Sequence, residues 1–420
     1  LPRQATARSS TGATPVGTRR RVGTGAFGVT AVMLAQWILP TVGFALLIQD
    51  RGPVRGQAVV LLAPLLFTVG VFVASRMGPG LPPPADTTPP WLLSFLRGCV
   101  VVLGLLAVLH FSAVGIPLLS SSVETSRFDV GSSGLGGFPS RAVLYALPIA
   151  ALIGLSTLSR GSRRPAMTLW IVFAVTQVFL GFKGGLIEVL IITALGLTIR
   201  LGRLGVKQLL GFAAGGVVAI AYVTYVGSKY QTLAGSDAGL AYVVRRSTSD
   251  AIIAGYTALT ARPVGIAEDT SVLIRDVGVL FGRYLGTAPE GYSFDELVSS
   301  VVTGTPIQRG AFLVPVTVGG PVYLLYSMPV LVCVLVLIAL GFAWHAAVVR
   351  LRRPSRPLAT LGAGVAVYGI RVFLLNGNGA YLLINLTFTF VLLVICSAVG
   401  HVLFSRASAQ RSGPLPEVVD

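Results

Sequence analysis

The sequence predicts an all-α polytopic membrane protein with about ten transmembrane helices and one large external loop of amphipathic helices. Three observations predict it. Of 420 residues, 54% are hydrophobic and only 11% charged, at a mean hydropathy of +0.81, so the polar groups are too few to cover a water-facing surface. Apolar stretches long enough to cross a bilayer recur along the chain, and in hydrocarbon a helix satisfies its own backbone within one such stretch. Between Gly227 and Pro315 this pattern is broken by about 90 residues, from Lys229 to Arg309, that hold most of the charge lying outside the short basic clusters.

Taken in order, residues 1–22 are rich in Arg, Thr and Ser, end in Arg19-Arg20-Arg21, and read as a disordered basic cytoplasmic tail. Residues 23–226 form a first transmembrane bundle of about seven helices, near 24–48, 58–75, 98–119, 141–158, 167–182, 184–199 and 208–226. The first of these is too long for the apolar region of a secretory signal and is expected to stay as an anchor. Gly78 to Pro84 is a stiff Gly/Pro connector. Residues 227–315 are the large extracytoplasmic loop, 316–405 carry the last three helices, near 319–347, 358–375 and 380–404, and 406–420 form a second cytoplasmic tail.

The formal net charge is +17, but its distribution excludes a nucleic-acid partner. The positives sit in alternate loops: Arg160, Arg163 and Arg164; Arg200, Arg203 and Lys207; Arg350, Arg352, Arg353 and Arg356; Arg406 and Arg411. Under the positive-inside rule these loops face the cytoplasm. Both termini are therefore cytoplasmic, the 227–315 loop is extracytoplasmic, and the chain is expected to be a multi-pass protein of a bacterial plasma membrane. Cys99, Cys333 and Cys396 fall within apolar stretches and read as small core residues. The three histidines share no ligand spacing, so neither a metal nor any other cofactor is expected.

Within the loop, 239–261 reads as a helix with Leu240, Val243, Val244, Ile252, Tyr256 and Leu259 on one side, and Arg246 and Asp250 paired four apart. A second helix, about 270–285, places Leu273, Val277, Leu280, Phe281 and Tyr284 on its apolar stripe, with Arg275, Asp276 and Arg283 off it. Two such helices joined at Ala261 to Gly265 could lie on the bundle or in the headgroup layer as a lid.

Several residues could carry chemistry. Lys183, in the hairpin Gly181-Phe182-Lys183-Gly184-Gly185, offers an ammonium among glycines that let backbone amides approach a phosphate; the alternative is a lysine snorkelling to the interface. Glu188 and Arg371 are ionisable groups inside apolar helices, which is costly without a partner or a polar cavity. Arg371 is expected to meet either Glu188 or a substrate phosphate. The loop Gly115 to Asp129 adds Glu124, Arg127 and Asp129 on the same face, and Arg245, Arg246 and Arg309 come from the large loop. Together Lys183, Arg127, Arg245, Arg246, Arg309 and Arg371 would make a diphosphate clamp. Arg97 reads as a snorkelling residue. No Walker loop, GxSxG, HExxH or dinucleotide fingerprint is present.

The pattern resembles the bacterial O-antigen and oligosaccharide repeat-unit polymerases, the Wzy-type enzymes. The features that carry the resemblance are the ten-odd spans with one late external loop, the Gly-Ile-Pro-Leu-Leu-Ser to Ser-Arg-Phe-Asp run at 115–129, and the Gly-Phe-Lys-Gly-Gly hairpin. Thr305-Pro306 followed by Val318-Gly319-Gly320-Pro321 is the fourth. The resemblance implies a GT-C-like integral membrane glycosyltransferase, metal-independent, that moves a glycan from polyprenyl diphosphate to the non-reducing end of a lipid-linked repeat unit at the outer face. It implies that Lys183, Arg127 and Arg246 or Arg245 hold diphosphate. Glu188, Asp129 or Glu124 would take the acceptor proton, without ranking among them. Polyprenyl-diphosphate-linked oligosaccharide and membrane lipids are the implied partners, with a chain-length regulator or flippase beside them.

Two other functions fit the composition. The related O-antigen ligases rely on a histidine in the large external loop, and this loop has none. A transporter or flippase of lipid-linked glycans would need a two-sided polar path and commonly internal repeats. Here Lys183, Glu188 and Arg371 all fall toward one side, and no repeat is visible.

Overall fold

The computed structural model describes residues 24–54, 56–78, 81–85, 87–120, 138–182, 184–228, 251–260, 272–284, 294–303 and 318–409, and these are helices and their connections, with no strand among them. The helices are α1 (Thr24–Arg51), α2 (Gln57–Met77), α3 (Pro90–Val114), α4 (Phe138–Ser156), α5 (Arg163–Phe179), α6 (Gly185–Leu201) and α7 (Val206–Ser228). Three shorter ones follow, α8 (Ala251–Thr260), α9 (Val272–Tyr284) and α10 (Phe294–Thr303), then α11 (Gly320–Ser327), α12 (Val330–Arg352), α13 (Pro357–Asn376) and α14 (Gly379–Ala409).

Eight of these helices, α1 to α4, α7 and α12 to α14, are long and apolar enough to cross a membrane. The remaining two of the ten expected, α5 and α6, have 17 residues each, about 25 Å of helix, just under the hydrocarbon thickness. The expected span at 319–347 is instead broken. α11 stops at Ser327 and α12 starts after Pro329, because proline has no N–H to continue a ladder and fits the entry to a helix. Of the expected first loop helix, 239–261, residues 239–250 and 261 lie outside the described residues, and the part that is described is α8. The second loop helix is found as α9, and α10 was not anticipated.

α2 packs most extensively on α12, and α3 on α14. Both crossings are made by glycine. A methyl on Gly70 would strike the Ile338 carbonyl and one on Gly341 the Phe67 carbonyl; Gly98 and Gly400 stand in the same way against the carbonyls of Cys396 and Ser94. Small residues let the backbones approach and gain dispersion contacts that lipid cannot match. α4, wholly buried from Leu147 to Ser156, lies at the centre against α5, α6 and α13.

The alternating helix directions gather the arginines at one end. There Arg200 Nη1 donates to the Ala85 carbonyl at 3.1 Å, the Ala85 N–H donates to the Arg352 carbonyl at 3.3 Å, and Arg97 stands over the Phe404 ring at 5.4 Å. At the opposite end α8, α10 and α11 pack together, with α8 also on α1 and α9 on α14. Tyrosines fasten this cap: Tyr256 Oη donates to the Gly52 carbonyl at 3.1 Å, and Tyr326 Oη to the Ala258 carbonyl.

Candidate functional site

At the capped half of the bundle, three helices aim one polar side chain each at a common point. Arg371 sits five residues before the end of α13 and is 5% exposed. Its Nη1 donates to Glu188 Oε1 at 2.6 Å and its Nη2 to Glu188 Oε2 at 2.5 Å, a bidentate pair. Its Nε donates to Gln36 Oε1 of α1 at 2.9 Å. Gln36 is oriented in turn by its own Nε2, which donates to the Val32 carbonyl at 2.9 Å. Glu188 lies in the first turn of α6, where a carboxylate also favours the helix N-terminus.

Tyr368, one turn before Arg371 on α13, sets its phenol beside the Glu188 carboxylate and donates to the Leu144 carbonyl at 3.4 Å. Leu144 belongs to Ala142–Ala146, a π-helical stretch of α4; such a widened turn leaves carbonyls looking for donors. The Tyr145 ring stands 6.5 Å from those of Tyr368 and Tyr381. Tyr381 is set by Asn378, whose Oδ1 caps α14 by accepting from the Tyr381 N–H at 3.1 Å.

A second polar centre joins the cap to the bundle. Asp276 of α9 is fully buried; its Oδ1 accepts from the Phe294 N–H at the start of α10 at 2.6 Å, and its Oδ2 from Tyr323 Oη of α11 at 3.2 Å. Tyr323 Oη also accepts from the Ala380 N–H, at the start of α14, at 3.3 Å. Burial first, and the Asp276 carboxylate second, push the Tyr323 phenol well above its ordinary value, so it remains a donor. This corrects the expectation that Asp276 lies off the buried face of its helix. The buried side carries Asp276 and Val279, while Phe281, expected on the apolar stripe, is 50% exposed. Periodicity assigned the carboxylate to water because it could not see the two donors that satisfy it.

Of the candidate site residues, the structure brings Glu188 and Arg371 together, and each is the other's partner. A proton-accepting role for Glu188 and a diphosphate-holding role for Arg371 therefore both require the pair to open. Lys183, Glu124, Arg127, Asp129, Arg245, Arg246 and Arg309 lie outside the described residues. Gln36, Tyr368, Asp276 and Tyr323 were not anticipated as site residues. A glutamine in the middle of a 28-residue apolar helix was the one signal that could have exposed Gln36.

The architecture and its polar centres are those of an all-helical, multi-pass membrane protein. Comparisons with family models, curated proteins and solved structures give no match to this chain.

Proposed function

We propose that the chain is a GT-C-like membrane glycosyltransferase of the repeat-unit polymerase type. It transfers a glycan from polyprenyl diphosphate to a lipid-linked acceptor at the capped end of the bundle, which is the extracytoplasmic end. The observation that carries this reading is the convergence of Gln36, Glu188, Tyr368 and Arg371 in one half of the bundle, beneath a cap of short helices. Ionisable groups within spanning helices are expensive and mark sites of use. Their position toward one end favours a one-sided reaction over a path through the membrane. The one-sided charge in the sequence supports the same reading, with diphosphate departure assisted by arginines rather than by a metal.

The test is a gene inactivation followed by profiling of polyprenyl-diphosphate-linked glycans, with sidedness assayed in membrane vesicles. Accumulation of single repeat units on the outer face, with polymer lost, is the expected outcome. Units retained on the inner face would overturn the reading in favour of a flippase. Reintroducing the paired variant Glu188→Gln with Arg371→Gln, which keeps the site neutral, should restore no polymer although the protein accumulates normally.

A further inference from the structure

At the arginine-rich end, α2 and α12 do not close on each other. Beyond their glycine crossing at Gly70 and Gly341, they flank an open cavity of about 610 Å³, with Met77, Phe342, His345, Val349, Arg350 and Arg353 on its walls. Phe342 and Val349 stand seven residues apart and so share one face of α12, and Arg353 is the first residue past its end. His345 is only 5% exposed, and neither of its ring nitrogens has a hydrogen-bond partner. Both nitrogens are sealed from solvent, so the imidazole forms part of the wall behind the cavity. Neither α2 nor α12 carries an acidic residue, and Arg350 and Arg353 at the mouth are exposed.

We infer that this cavity binds one anionic phospholipid. Its phosphodiester lies between Arg350 and Arg353 at the mouth, and an acyl chain follows Met77, Phe342 and Val349. The chemistry selects this occupant. Guanidiniums at the mouth suit a phosphate, an apolar wall excludes a fully hydrated ion, and basic pockets between spanning helices are where anionic headgroups lodge. The site lies at the opposite end of the bundle from Glu188 and Arg371, and it stands whatever reaction occurs there.

The test uses the full chain, delipidated in a neutral detergent, with native mass spectrometry of added phosphatidylglycerol, phosphatidylcholine or inorganic phosphate. The expected result is one phosphatidylglycerol retained per chain, with phosphatidylcholine held at least about tenfold more weakly. Arg350→Gln with Arg353→Gln should weaken that binding by about tenfold or more, whereas Arg203→Gln, at an exposed arginine of the same end, should leave it unchanged. Val349→Trp, which fills the cavity and keeps both arginines, should also abolish retention, and it serves if the double variant does not fold. Equal binding of both lipids, or binding indifferent to the arginine pair and to Val349→Trp, would overturn the inference. Saturable binding of inorganic phosphate without lipid retention would overturn it as well.

Discussion

Glu188 and Arg371, 183 positions apart in the chain, meet fork to fork with both carboxylate oxygens engaged. The carboxylate enters from the first turn of α6 and the guanidinium from near the end of α13, so the pair ties the middle of the sequence to its last quarter. Removing either charge leaves the other uncompensated, Arg371 buried and Glu188 half-buried. Glu188→Gln alone or Arg371→Gln alone should each destabilise the folded protein by about 3–5 kcal/mol. The double variant should recover most of that loss, because two neutral amides can hydrogen-bond to each other. Thermal unfolding in detergent, run as a double-mutant cycle, measures the coupling, and additive losses would show that the pair contributes nothing as a pair.

The Asp276 centre should govern whether the cap stays on the bundle. Tyr323→Phe removes one donor from a buried carboxylate and should cost about 1–3 kcal/mol. Hydrogen exchange should locate the effect in α9 and α10, which open while α2, α3, α12 and α14 keep their protection. Uniform loss of protection across all helices would show that the cap and the bundle are one cooperative unit.

The glycine crossings should tolerate no side chain. Gly98→Val or Gly341→Val should reduce the yield of monodisperse protein severely, since the obstruction is backbone carbonyl on a neighbouring helix and overpacking costs about 1–3 kcal/mol even where atoms can shift. Gly104→Ala, on the same α3 with open space at its Cβ position, should be neutral or slightly stabilising. Comparing size-exclusion profiles of the three variants decides the point.

Orientation is open to a direct measurement. The three native cysteines are buried, so an introduced thiol can be labelled alone. Lys207→Cys, at the arginine-rich end, should react with an impermeant maleimide only after the membrane is opened, and Asp50→Cys should react in intact cells. The reverse pattern would invert the topology and remove the proposed site from the outer face.

How far the sequence carried these features can be read from individual residues. Helix positions were legible because a spanning helix announces itself by length and apolarity, and the Glu188–Arg371 pair was legible because two lone charges in apolar helices have few partners. The break after Ser327 was missed although Pro329 stood there, since an apolar run hides a proline that begins a helix rather than interrupting one. Asp276 was misplaced because a helical stripe reports chemistry along one segment only. Its partners, the Phe294 N–H and the Tyr323 hydroxyl, come from other segments, as do the Gln36 and Tyr368 contacts.

The two glycine crossings also set the order in which the protein can be finished. α2 and α3 emerge from the ribosome early, yet the helices that fit closely against them, α12 and α14, are made more than 230 residues later. Until then their small-residue grooves face lipid or a temporary companion. A truncated chain ending before α12 would thus reach the bilayer with two seams unfilled. α12 and α14 are the helices that fill those seams, so the close packing of the early helices waits on the late ones.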